Sequence, residues 1–399
     1  MNGAVRQYLL ITGNYWAFTL TDGALRMLVV LYFHQLGYSP LQIAFLFLFY
    51  ELFGVVTNLV GGWLGARIGL NRTMNIGLAL QIGALAMLAV PSAYLTIPWV
   101  MAAQALSGIA KDLNKMSAKS AIKQLVPENA ESSLFKWVAL LTGSKNTLKG
   151  VGFFMGGALL VWLGFQGAVT AMAAVLLIVW ISSLLLLKKE LGKASYKPKF
   201  REIFSKSDSV NRLSAARFFL FGARDIWFVI ALPVFLADTL NWGEEATGAF
   251  MAMWIIGYGI IQASSPKLLN NREHPPSRDR AVTLAALLTL VPTAIAALLF
   301  AEVEPTWVIM VGLALFALIF ALNSAVHSYL IVSYAKADGV SLDVGFYYMA
   351  NAMGRLIGTL LSGALFQWTG LGVAGLVACL AGSAIMVLAA ALLSRKLPI

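Results

Sequence analysis

Apolar residues in this sequence come in blocks long enough to cross a bilayer, and that limits the fold more than any other feature. A transmembrane helix needs about 20 consecutive, mainly apolar residues. Inside lipid only helices and closed barrels satisfy their own backbone hydrogen bonds. The stretch AMAAVLLIVWISSLLLL, from Ala171, is one such block. Twelve are read, centred on 8–33, 41–66, 73–94, 98–124, 134–163, 165–187, 211–237, 246–266, 281–301, 306–334, 342–368 and 371–394. Composition agrees, with 59% hydrophobic and 12% charged residues, against about 25% charged in soluble domains. The expected fold class is an all-α membrane protein with twelve transmembrane helices.

The charges sort by side. Arg67, Arg72, Lys123, Lys136, the run from Lys188 to Arg212, Lys267, Arg272, Arg278, Arg280 and Lys336 all fall in or beside even-numbered connections. The odd-numbered connections HQLGYSP, PSAYLTIP, LADTLNWGEEATG and AEVEPTW contain no Lys or Arg. Cytoplasmic loops carry the Lys/Arg excess, so both termini are expected in the cytoplasm. The net charge of +11 therefore reads as topology rather than as a nucleic-acid surface. Met1 to Gln7 is short and polar and the run after it is long enough to span, so no cleavable signal peptide is expected. The single cysteine, Cys379, excludes an intramolecular disulfide and a Cys-based zinc site. No metal or cofactor is expected.

The halves repeat. KGVGFFMGGALLVWLG from Lys149 aligns with RLIGTLLSGALFQWTG from Arg355, pairing Lys149 with Arg355, Gly152 with Gly358, Gly157 with Gly363, Trp162 with Trp368 and Gly164 with Gly370. Gly152, Gly156, Gly157, Gly358 and Gly363 read as close helix packing. The domains expected are a six-helix bundle over 1–187, a basic cytoplasmic linker over 188–210, and a second six-helix bundle over 211–399. This parallel repeat resembles the plan of the major facilitator superfamily, which implies a substrate site at the midplane, where the two halves meet. The loop GGWLGARIGLNRT from Gly61 resembles that family's signature through Gly62, Leu64, Arg67 and Gly69, but Ala66 stands where the family carries an aspartate. The charge latch built there in the family is thus in doubt.

Ionised groups at the centre of a membrane helix cost about 2.5–3.5 kcal/mol each on insertion scales, so their placement carries function. In a major facilitator fold spans 1, 4, 7 and 10 line the cavity and spans 3, 6, 9 and 12 face lipid; the latter contain no interior Asp, Glu, Lys, Arg or His here. The fourth span holds SGIAKDLNKMSAKSAIK, in which Ser107, Lys111, Asn114, Lys115 and Ala118 share a face at a 3.6-residue period. Interior cations are Arg26, Lys111, Lys115, Lys145, Lys149, Arg217, Arg224 and Arg355, against the acids Asp22, Glu51, Asp112 and Asp225. That surplus calls for a multiply charged anion, and Arg suits phosphate-like oxyanions through its bidentate fork. Tyr15, Asn323 and His327 are candidate polar contacts. Asp22, Glu51, Asp112 and Asp225 are candidate proton carriers, because a carboxylate in a low-dielectric site can hold a proton. Asp22 and Arg26, at i and i+4, form either an ion pair or a substrate cation with its acid. Glu51 has no obvious partner in its own helix.

Four stretches narrow the resemblance: GNYWAFTLTDGALRMLV from Gly13, NLVGGWLGARIGLNRT from Asn58, QALSGIAKDLNKMSAKSAIKQLVP from Gln104 and FKWVALLTGSKNTLKGVGFF from Phe135. Together they resemble the organoarsenical efflux permeases of bacterial arsenic-resistance operons, the ArsJ family. That resemblance implies export of 1-arseno-3-phosphoglycerate across the bacterial inner membrane, with glyceraldehyde-3-phosphate dehydrogenase as functional partner. A phosphate and an arsenate ester match an Arg- and Lys-rich interior. The expected partners are a small anionic substrate and the lipid bilayer, with no nucleic acid, and the chain is expected to act as a monomer. The rival within transport is a carrier of another organic phosphate or organic anion. A membrane-embedded enzyme would want clustered His, Asp or Glu, and the three histidines at 34, 274 and 327 are scattered.

Overall fold

The computed structural model describes residues 3–38, 46–126, 131–187, 191–195, 198–204, 207–270 and 275–398. Eleven long helices follow in order: α1 Gly3–Gln35, α2 Leu48–Ile68, α3 Leu70–Leu88, α4 Ile97–Leu125, α5 Glu131–Leu186, α6 Asp208–Phe228, α7 Glu244–Leu268, α8 Arg278–Phe300, α9 Pro305–Tyr334, α10 Val340–Trp368 and α11 Gly372–Ser394. The expected fold class is the one observed. α5 breaks at Gly164, whose φ of 66° and ψ of 179° are not helical. Its arms, 131–163 and 165–186, are the fifth and sixth expected spans, and no loop separates them.

Boundaries moved where local chemistry dictated. The second span begins at Leu48 among the described residues, and positions 41–45 of that expected span lie outside them. The third ends at Leu88, six residues early, because Pro91 precedes the separate turn Ser92–Tyr94 and proline bars the preceding residue from α geometry. The seventh span is interrupted. α6 stops at Phe228, a single turn Ala231–Val234 follows, and Phe235–Thr239 is π-helical. The Ser362 hydroxyl of α10 accepts the Ala231 N–H at 3.1 Å, satisfying a donor that the break releases inside the bilayer.

The chain forms two compact units. The first comprises Met1–Trp137, Ser144–Ser205 and Ala335–Met349; the second comprises Val138–Gly143, Lys206–Tyr334 and Ala350–Ile399. In the first, α4 is central and packs on α1, α2 and α3. In the second, α9 packs in the corresponding way on α6, α7 and α8. The repeated glycines show why. A Cβ on Gly152 would come 2.7 Å from the Leu20 carbonyl oxygen of α1, and one on Gly358 would come 2.5 Å from the Gly222 carbonyl oxygen of α6. Without side chains, the helix carrying the Lys149/Arg355 position lies directly against the first helix of its own unit. Gly157 and Gly363 do not share this role: a Cβ there would meet only Leu31 at 3.7 Å and Ile230 at 3.4 Å, which is ordinary contact.

The second unit has an aromatic core. Trp227 meets Phe316 at 5.0 Å and Trp254 at 5.7 Å between ring centroids, both edge-on, the arrangement ring quadrupoles favour. The interdomain linker is more structured than a solvated loop. In the first unit Leu70 N–H donates to the Leu191 carbonyl at 2.8 Å, Ala194 N–H to the Ala66 carbonyl at 2.8 Å, and Trp63 Nε1 to the Pro198 carbonyl at 3.0 Å. Ala66 and Ala194 pack with Leu342. Where an aspartate latch was in doubt, the corner is held by backbone hydrogen bonds and apolar packing.

Candidate functional site

In the first unit the charged groups converge from α1, α2, α4 and α5. Lys149 of α5 feels the charges of Arg26, Asp22, Lys145 and Lys111, so four expected cations and one acid share one region. Arg26 does not pair with Asp22. Its guanidinium donates to Glu51 of α2 at 3.2 Å, while the Tyr50 hydroxyl donates to Asp22 at 2.7 and 3.0 Å. The i, i+4 spacing within α1 allowed the Asp22–Arg26 pair, but α2 presents a better partner to each. Glu51 thus has its partner on a neighbouring helix rather than its own.

Tyr50 organises this region and was missed from sequence. Its ring lies under Lys111, with Nζ 3.7 Å from the centroid, and beside Arg26 at 5.3 Å. One side chain therefore holds Asp22 with its hydroxyl and two cations with its face. The only sequence signal was its position next to Glu51. The Lys111 ammonium is held loosely: its carboxylate partner, Asp112 Oδ2, is 4.0 Å away. Asp112, 1% exposed, is held instead by Lys115 at 2.5 Å. Tyr15, from α1, has a buried hydroxyl without a hydrogen-bond partner among the described residues, in the field of Asp22, Asp112 and Tyr348.

The shared face read along α4 divides in the structure. Asn114 turns away from Lys111. It packs on Gly77 of α3 and donates to the Ala110 carbonyl at 2.9 Å. Three residues at 100° each leave it at the edge of the arc, where close approach of α3 takes it. Lys119, also missed, is buried. Its ammonium hydrogen-bonds the Tyr348 hydroxyl at 2.5 Å and lies 4.4 Å from that ring, with Lys115 at 5.1 Å. Lys145 donates to Asn146 at 3.3 Å.

The second unit places its charges otherwise. Asp225 of α6, fully buried, takes Arg224 on Oδ1 and Arg355 of α10 on Oδ2, the latter at 2.9 Å. Two expected substrate cations thus share one expected proton carrier. Arg217, 2% exposed, does not reach toward loops. It donates to Asn351 at 2.8 Å and to the Ser324 hydroxyl at 3.1 Å, and its guanidinium stacks 3.8 Å over Phe221. Asn323 and His327, one turn apart on α9, are buried. The amide atoms of the first and both ring nitrogens of the second lack hydrogen-bond partners among the described residues. Unpaired buried polar atoms cost about 1–3 kcal/mol each, so this pair carries unmet hydrogen-bonding capacity.

Residues 11–290 match the family model described as Major Facilitator Superfamily. No curated protein matches the chain. Among solved structures, the human organic anion transporter MFSD10 (TETRAN) superposes with a TM-score of 0.75 at 18% identity, covering 98% of each chain. The proton:xylose symporter XylE gives 0.74 at 11% identity over 99% of this chain and 96% of that one. A bacterial homologue of the iron transporter ferroportin, in an outward-facing state, gives 0.72 at 14% identity over 97% and 98%.

Proposed function

We propose that this chain, which belongs to the major facilitator superfamily and is a multi-pass membrane transporter of a small substrate rather than an enzyme, exports an organic oxyanion by alternating access. The observation that supports an anion is the excess of cations around Lys111, with Arg26, Lys145 and Lys149 acting on one region of the first unit. A neutral sugar would not offset that excess. A doubly charged ester would, through charge-assisted contacts worth about 1.5–3 kcal/mol each. The human organic anion transporter among the fold neighbours is compatible with this class.

Within the class, the stretches that resemble the organoarsenical permeases lead to the substrate 1-arseno-3-phosphoglycerate, supplied by glyceraldehyde-3-phosphate dehydrogenase, and to arsenate resistance at the bacterial inner membrane with both termini cytoplasmic. Proton antiport through Asp22, Glu51, Asp112 or Asp225 or the inside-negative potential would drive export, since the potential itself expels negative charge. The test is arsenate resistance in a sensitive bacterial host carrying the chain with and without the dehydrogenase. Resistance that needs both is the expected result. No resistance, with export of other phosphate esters from loaded vesicles, would leave the rival organic-phosphate carrier. Periplasmic activity of a reporter fused after Ile399 would overturn the topology.

A further inference from the structure

On the first unit, away from the cations around Lys111, α3 and the second arm of α5 enclose a groove of about 540 Å³. Its walls are apolar: Ile68, Ile76, Trp180, Leu184 and Leu187. Polar groups gather at one end, where Arg72 lies in the first turn of α3, with Asn75 one turn further on. Arg72 is exposed and has no ion pair among the described residues. The first turn of α3 carries no acid, so the helix N-terminus adds its own partial positive charge. The Trp180 indole N–H is already used, donating to the Asn75 carbonyl at 3.0 Å, which turns the ring into a fixed apolar wall. The Asn75 side-chain oxygen, by contrast, is buried without a partner among the described residues.

We propose that this groove binds one anionic phospholipid of the phosphatidylglycerol class, its acyl chain along the Trp180–Leu184 wall and its phosphate at Arg72 and the start of α3. Arg72 belongs to a connection rich in Lys and Arg, so the site lies in the cytoplasmic leaflet, where anionic lipid is attracted by such charges. A soluble phosphate compound would leave the apolar wall unused, and a zwitterionic lipid would leave Arg72 unpaired.

The experiment uses the full chain in nanodiscs containing phosphatidylglycerol or phosphatidylcholine with brominated acyl chains, which quench nearby tryptophan. Brominated phosphatidylglycerol should quench more than brominated phosphatidylcholine, and the difference should vanish in Trp180→Phe. Competition by unlabelled phosphatidylglycerol should weaken about tenfold in Arg72→Gln, the loss of one charge-assisted contact, and much less in Arg72→Lys. Arg201→Gln, which removes a charge from the linker, should change nothing. Monodispersity on size exclusion confirms that each variant is folded. Equal quenching by the two lipids, full selectivity in Arg72→Gln, or displacement of the lipid by soluble glycerol 3-phosphate would each overturn the proposal.

Discussion

The two units handle buried charge in opposite ways. In the second, one carboxylate is shared: Asp225 takes Arg224 and Arg355, one on each oxygen. In the first, acids and cations are distributed over separate partners. Glu51 holds Arg26, Asp112 holds Lys115 closely with Lys111 4.0 Å from its other oxygen, Asp22 accepts the Tyr50 hydroxyl, and aromatic faces carry part of the load for Lys111 and Arg26. A shared carboxylate ties two cations from two helices into one knot on a fully buried acid. A distributed set leaves Lys111 held by a ring and by a carboxylate at the limit of pairing distance. If the proposed anion binds beside Lys111, the first unit should give up its partners more readily than the second.

The sharpest test of that contrast is to remove one carboxylate from each unit. Asp225→Asn leaves Arg224 and Arg355 without their acid, and breaking a buried pair costs about 3–5 kcal/mol. Thermal unfolding in detergent should show a large loss for Asp225→Asn and a clearly smaller one for Asp22→Asn, which loses its charge but keeps an oxygen to accept the Tyr50 hydroxyl. Equal losses would mean that the first unit is as tightly knotted as the second.

The next effect falls on binding. Lys111→Ala should weaken substrate binding about 10- to 100-fold with little change in unfolding temperature. Arg355→Ala should shift the unfolding temperature as well, because it also takes one of the two cations from buried Asp225. Isothermal titration and thermal unfolding on the same preparations separate the two. If Lys111→Ala binds like the parent, the loosely held cation is structural. Tyr50→Phe refines this case. It keeps the ring under Lys111 and removes the donor to Asp22, so it should alter the pH dependence of transport more than affinity; an unchanged profile would remove Asp22 from proton coupling.

The smallest effect concerns the linker, whose residue Ser195 is held within the first unit. Ser195 donates its N–H to Asp338 at 2.8 Å and its hydroxyl to the other carboxylate oxygen. These two hydrogen bonds hold the Asp338 carboxyl below its ordinary value. A depressed carboxyl stabilises the folded form above the unfolded-state value, and the contribution fades as pH falls through the folded one. Protection at 191–195, meaning exchange relative to the intrinsic rate at each pH, should therefore fall modestly in acid, and Ser195→Ala, which loses the hydroxyl donor but keeps the backbone one, should lower it in part at neutral pH. An unchanged gain in protection between acid and neutral pH in Ser195→Ala would assign the effect to another group.

Legibility followed the range of the interaction. The positions of the helices were readable because apolar length and the Lys and Arg asymmetry are local properties. α3, α4 and α10 are not among the described helices apolar enough to be recognised as spans by composition alone, although each was read as a span, α10 also through its match to the fifth. The glycine match between the two halves correctly marked Gly152 and Gly358, because the close approach of two backbones leaves no room for a side chain there. It over-reached at Gly157 and Gly363, where identity in sequence accompanies no tight contact.

Sequence by itself determined that the chain is an all-helical membrane protein of two related halves, that its interior carries more cations than acids, and which helices those cations sit on. Pairing was decided only by tertiary structure. Within α1, spacing made Asp22 and Arg26 plausible partners, but a charge in low dielectric takes whichever counter-group lies nearest in space, and α2 brought Glu51 and Tyr50 closer. The same reason separates Asn114 from Lys111 and joins Arg355 to Asp225 across 130 residues of chain. A helix sets the direction in which a side chain leaves the backbone; its neighbours set what that side chain meets.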